Sequence, residues 1–479
     1  MTSSYAVRDL PEGHSDRLAG LSVGELADGF ADRSLSPVEV MGAVLRRIDL
    51  AEPTINALAD RLPGELAMAA AHESRGRWDA GAPVGPLDGI PVTVKENLAR
   101  AGVPLRSGSA GATPRTPTED SPVVARLKAA GAIIVGTTTM PDWGMLSSGV
   151  SSLYGVSRSP LDPTLTTGGS SGGAGAAAAA GYGPIHIGTD IGGSIRLPAT
   201  WLGLVGHKPS YGRVPLESPY LGRVAGPITR NVADAAAAMA VISGHDARDW
   251  TALPATHLDW RLPEAGGNAS GARGLRVGLL LDPGAGMPGD PILRDVAEAA
   301  GRLFADGGAD VEVLTPWLSE ATLVALDRFW RLRLWSDLEG LSPEARDRVL
   351  PYIREWAEAA ADGSGLRTLR DYHAMLGLRG ATVAATTAYD IVLSPVAPVS
   401  AFPAEWPMPW GADPADGMAH IGFTVPFSMS GQPSCAVPMG RRADGREVGV
   451  QVSGRRFDDV GVLRAAAWVE ATAAGSDRA

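Results

Sequence analysis

The sequence predicts an α/β fold: a central mixed, mostly parallel β-sheet flanked by helices, forming one large domain over residues 1–479. Short apolar runs of strand length alternate with stretches patterned as helices along most of the chain. No internal repeat is found. No break in composition is sharp enough to divide the chain, although its length would accommodate about two or three average domains.

Taken in order, residues 22 to 50 read as two helices. Ser22 with Glu25, and Ser36 with Glu39, are spaced as capping boxes, and Pro37 suits a first helical position. Met41, Val44, Leu45 and Ile48 then recur at helical spacing. A helix from Leu66 to Trp78 completes an N-terminal helical cover, about residues 1–80. Gly89 to Asn97 is a short strand ending at a polar corner, with Val92 and Val94 on one face and Lys95 closing the run. A helix from Ser121 to Ala130 precedes a buried strand at Ile133 to Val135. Gly136 to Pro160, rich in Ser and Gly, is irregular, as a pocket wall would be.

Beyond a glycine- and serine-rich centre at 166–212, Asn231 to Ile242 is an alanine-rich helix, and 250–272 is a Pro/Gly-rich connection. A strand (275–281), a helix (291–306) and a strand (310–314) follow. The segment 318–388 reads as a mostly helical, variable cover carrying Trp330, Trp335 and Trp356. A strand at 390–393 leads into a proline-rich loop, 395–413, and the part from Pro395 to Trp410 is expected over the pocket. Runs at 424–438 and 446–453 read as strands, and the last helix covers about Val460 to Ala473.

The formal charge of −11, with no basic run to offset it, argues against nucleic acid or an anionic membrane as a partner. The single cysteine, Cys435, excludes an internal disulfide and a thiolate-cluster metal site. The opening residues lack the pattern of a secretory leader, so the expected location is cytoplasmic. Of 42 basic residues only Lys95, Lys128 and Lys208 are lysines. Buried lysine can release its proton, whereas arginine effectively cannot, so each lysine is a candidate for that task.

Several motifs compete for the chemistry. Gly168-Gly169-Ser170-Ser171-Gly172 fits the G-x-S-x-G nucleophile elbow, but that elbow needs a strand before it and residues 162–167 make a poor one. Gly284 to Gly289 fits a dinucleotide fingerprint, yet Pro288 lies inside it and the helix begins only after its last glycine. The eight histidines are scattered; His186 reads as a satisfied core residue and His207 as a turn residue, so no metal site is expected. A further grouping joins Lys95 with serines in two Gly-Gly-Ser corners, Ser170 and Ser194. A serine needs a base, a neutral lysine can serve, and a second serine can relay the proton. From spacing alone this reading competes with a plain one: capping serines, a loop serine and a solvated lysine.

The blocks TTGGSSGG, GTDIGGSIRLPA and GHKPSYGRV, in that order within 166–214, closely resemble the amidase signature family. GIPVTVKEN at 89–97 is similar to that family's lysine segment, and residues 423–459 to its C-terminal strands. The resemblance runs from about residue 20 to 473. Thr167 stands where the family often has proline and Asp162 where it often has asparagine, and neither change removes a reacting group.

The resemblance implies a Ser–cis-Ser–Lys triad: Ser194 as nucleophile, Ser170 as bridging serine and Lys95 as base. It also implies a cis Gly169–Ser170 peptide bond. The amides of Ile191, Gly192, Gly193 and Ser194 would form the oxyanion hole, with Gly169, Asp190 and Arg196 as structural support. Gly144, Met145 and Ser171 would contact the substrate. The implied activity, without metal or cofactor, is hydrolysis of small aryl or apolar amides, with carbamates (urethanes) open to the same attack. A small-molecule substrate and a monomer or homodimer are expected. The rival readings are the glutamine-hydrolysing component of a tRNA-dependent amidotransferase complex and a non-enzymatic binding protein on the same scaffold. Trp330 and Trp335 are each expected to be core residues.

Overall fold

The first long helices begin where their hydroxyl caps stand. In Val23–Ala31 and Pro37–Ile55, capping boxes at Ser22/Glu25 and Ser36/Glu39 satisfy N–H groups that a helix start leaves open. The computed structural model describes residues 14–262, 271–415 and 417–476. The extreme N terminus of the expected cover and 263–270 of the 250–272 connection lie outside the described residues.

The strands are β1 (Leu58–Arg61), β2 (Pro91–Lys95), β3 (Ile133–Thr138), β4 (Val150–Ser151), β5 (Gly155–Val156), β6 (Ile185–Asp190), β7 (Val205–Lys208), β8 (Val224–Thr229), β9 (Arg276–Leu279), β10 (Asp310–Val313), β11 (Ile391–Pro395), β12 (Ser434–Arg441) and β13 (Glu447–Gly454). Apart from the β4–β5 pair, they form one eleven-stranded sheet in the order β1-β3-β2-β6-β8-β7-β12-β13-β11-β9-β10. The result is a single large α/β domain with a mixed sheet flanked by helices. One apolar cluster packs Val92, Ile187, Val277 and Val450 against Leu127, Met239 and Phe304. A second unites Ala174, Leu197, Trp330, Trp356 and Ile421.

Two expectations need correction. Parallel pairing is confined to β3–β2–β6 and β11–β9–β10, and the remaining pairings of the large sheet are antiparallel, so the sheet is not mostly parallel. The alternation of strands and helices shows where helices intervene, not which way the next strand runs. The short 442–446 turn, for example, can join β12 to β13 only as an antiparallel hairpin. The run 424–438 is also not one strand: its first part is the helix Val425–Ser430, ended by Gly431 at φ +73°, before β12 begins. A buried apolar run this short carries no periodicity that separates helix from strand.

Candidate active site

β2 brings Lys95 to the carboxyl edge of the parallel group, fully buried. Its Nζ lies 2.7 Å from Ser170 Oγ and 3.1 Å from both Ser171 Oγ and Thr189 Oγ1. Burial drives the Lys95 ammonium well below the ordinary lysine value and the nearby Arg223 charge adds to this, against the opposing pull of Asp190 and Glu96. The site therefore favours an uncharged amine beside a hydroxyl.

Ser170 stands on a corner that glycines make possible. Gly168 has φ +75°, and the Gly169–Ser170 peptide is cis. A side chain at Gly169 would collide with the carbonyl oxygens of Leu146 and Ser148, so backbone fills that space. Ser171 follows, fully buried. Its Oγ takes a hydrogen bond from Lys95 and donates to the Thr189 carbonyl, which bridges β2 and β6. Ser171 is not among the residues that line the cavity; its contacts hold the lysine.

β6 ends at Asp190, and the carboxylate organises the loop that follows. It accepts the Gly193 N–H at 2.9 Å, the Ile195 N–H at 3.1 Å, and two guanidinium bonds from Arg196 at 2.8 and 3.0 Å. Arg196 is in turn held by the Thr424 carbonyl, Gln451 and Ser428. Among the described residues the N–H groups of Ile191, Gly192 and Ser194 have no partner, whereas that of Gly193 is taken by Asp190. Of the expected oxyanion donors, the Gly193 N–H is thus the one already engaged, by the Asp190 carboxylate. Its φ of +124° and the closeness of Thr424 and Leu197 leave little room for a Cβ there. Ser194, half-buried, makes no side-chain hydrogen bond to a described residue and faces the same cavity as Ser170.

That cavity has a volume of about 440 Å³. Gly144 and Met145 line it, as do Leu146 and Ser147 of the irregular segment. A Cβ on Gly144 would stand 3.2 Å from Ser170 Oγ, so any side chain there would crowd that hydroxyl. Trp330 is both core and lining: it is 5% exposed, yet it borders the cavity beside Gly192. Trp335 is half-buried under Arg346, and Trp356 is buried with its indole N–H on Asp327.

The stretch from Pro395 to Trp410 does not line the cavity. It pairs with the approach to the serine corner instead, through Thr166 N–H to the Phe402 carbonyl and Ala404 N–H to the Thr164 carbonyl. Met418 and Ile421, just beyond, supply the cover. His420 between them accepts or donates at 2.6 Å with Ser147 Oγ.

The other lysines stand apart from the cavity. Lys128 pairs with Asp120 at the surface. Lys208 is fully buried at the end of β7, donating to the Gln432 and Pro209 carbonyls, and burial brings it down to about 7. His186 is satisfied in the core by Thr93 and the Gly183 carbonyl. His207 is not a turn residue but a buried member of β7, 3.7 Å from Asp459.

A match to the family model described as Amidase covers residues 39–463. The chain belongs to the amidase signature family. Relatives of this amidase include an acylamidase of Rhodococcus erythropolis, 32% identical with 96% of each chain covered. The A component of the glutamyl-tRNA(Gln) amidotransferase of Chloroflexus aurantiacus is 33% identical, over 93% of this chain and 95% of the relative. Among solved structures, a bacterial aryl acylamidase superposes with a TM-score of 0.83 at 28% identity, covering 95% of this chain and 96% of that one. The amidase is thus a hydrolase acting on C–N bonds. Among its described residues no helix is long and apolar enough to cross a membrane.

Reading the sequence of this amidase missed three cavity arginines: Arg115, Arg223 and Arg333. Nothing in their spacing marks them in so arginine-rich a chain. The placement of the Arg223 and Arg333 guanidinium groups without an ion-paired carboxylate is visible only in three dimensions.

Proposed function

We propose that this chain cleaves small aryl or apolar amides, and aryl carbamates by the same attack, through an acyl-enzyme on Ser194. The carrying observation is the buried Lys95 amine 2.7 Å from Ser170 Oγ, in a cavity that Ser194 shares under unpartnered N–H groups. Neutral Lys95 takes the Ser170 proton as Ser170 takes that of Ser194, and Ser194 Oγ adds to the carbonyl carbon. The oxyanion so formed meets the N–H groups of Ile191, Gly192 and Ser194, an electrostatic contribution of about 3 kcal/mol for a typical donor. The C–N bond breaks as the proton returns through Ser170 to the leaving nitrogen. Water then adds to the acyl carbon by the same relay and releases the acid and Ser194.

Trp330, Met145, Met418 and Ile421 give the cavity an apolar side that suits an aryl or aliphatic body. The purified chain should hydrolyse p-nitroacetanilide and a small aryl carbamate, and Ser194→Ala should abolish both activities. Activity that survives Ser194→Ala overturns the reading. A second reading, ammonia supply from glutamine inside an amidotransferase, draws on the amidotransferase relatives at 33–35% identity. Glutaminase activity that appears only with partner proteins, together with inactivity on anilides, would favour it.

A further inference from the structure

Arg223 and Arg333 line the same cavity as Ser170 and Ser194. The buried guanidinium groups of Arg196, Arg213 and Arg331 each meet a carboxylate. Here none does: among the described residues no carboxylate oxygen lies within ion-pairing distance of either group. Arg333 lies over the Tyr220 ring at 4.7 Å from its centroid, with Met145 Sδ 3.8 Å from Nη1. Arg223 makes only long contacts, 3.4 Å each, to the carbonyls of Asn97 and Ser218. The one acid in the lining, Glu217, is exposed at the rim, 3.9 Å from Arg115. Burial and the neighbouring Arg333 charge hold Arg223 down to about 10 against the pull of Glu217, so within an otherwise acidic protein the two cations lie near each other with no carboxylate in ion-pair contact.

Charges left unpaired in a partly dry cavity are costly, and guanidinium forks match planar anions best. We propose that Arg223 and Arg333 form an anion subsite, and that the substrate is an amide bearing a carboxylate elsewhere in the same molecule. The apolar side of the cavity takes the body, and the arginine side takes the charge. This rests on the amidohydrolase reading for its chemistry, but not for its binding.

Three anilides test it on the full chain: acetanilide, which is neutral; 4-acetamidobenzoate, charged on the amine side; and N-phenylsuccinamate, charged on the acyl side. One of the charged pair should exceed acetanilide in kcat/KM by about tenfold or more, as a charge-assisted bond allows. Arg223→Gln and Arg333→Gln should each erase that advantage, chiefly through KM, and the lysine variants should restore part of it. Calorimetry with benzoate on the full chain is independent of turnover. Binding that weakens about tenfold in either glutamine variant supports the subsite, even if none of the anilides is hydrolysed and the amidohydrolase reading falls. Equal use of all three anilides, or no benzoate binding by the wild-type chain, overturns it. If a glutamine variant fails to fold, the lysine variant decides: benzoate affinity equal to wild type in both lysine variants also overturns it.

Discussion

Asp190 and Arg196 meet in full burial, with Nε–Oδ2 at 3.0 Å and Nη2–Oδ1 at 2.8 Å. Burial alone would raise the Asp190 carboxyl, but the Arg196 charge and its hydrogen bonds outweigh that and hold it at about 2. An unfolded aspartate titrates near ~3.9, so this group's stabilisation is full above that pH and is lost as pH falls towards the folded value. Urea unfolding should therefore show a loss of about 2 kcal/mol from this group across that window. Asp190→Asn should be less stable at neutral pH and show a shallower acid slope. An identical slope would refute the assignment.

Lys95 should set the pH dependence of turnover. With its ammonium driven well below the ordinary value, kcat/KM should rise with pH and level off where a solvated lysine would still be charged. Because the unfolded chain holds this proton more tightly, stability should rise with pH between the folded and unfolded values. Lys95→Arg should lose about a thousandfold in kcat, as Lys95→Ala should. Wild-type turnover by Lys95→Arg would exclude the lysine as base.

Ser171 predicts a different signature. It touches the lysine amine and β6 but not the cavity, so Ser171→Ala should lower kcat by about ten- to a hundredfold with KM little changed. A rise in KM at constant kcat would instead support the substrate-contacting role of Ser171.

Far from the cavity, Glu470 accepts the Val232 N–H beside Asp234, and burial pushes its carboxyl up to about 7. Its raised value means that stability is full below the unfolded value, near ~4.3, and is lost as pH rises through the folded one. Glu470→Gln should therefore be more stable than wild type by about 3 kcal/mol in mildly alkaline buffer, and the gain should fade in acid. Thermal or urea unfolding at the two pH values decides it.

What could be read from the sequence follows from how local each cue is. Caps at Ser22 and Ser36, and the glycine-serine corners, depend on neighbours within a few positions and are written in the chain. Sheet direction, the helix at Val425–Ser430 and the seat of the Pro395–Trp410 stretch depend on distant partners, and sequence reading misplaced each of them. The bond from the Gly193 N–H to Asp190 was illegible for a similar reason: nothing in a glycine motif tells which amide a buried carboxylate takes.

Arg196 is clamped by Gln451 and by the Thr424 carbonyl, and the approach to Ser170 is strapped by residues 402–404. A chain emerging from the ribosome would thus carry its lysine and both serines long before it could hold them in place. Until the final hairpin docks and supplies Gln451, a nascent chain would lack this clamp on Arg196 although Lys95, Ser170 and Ser194 are already made.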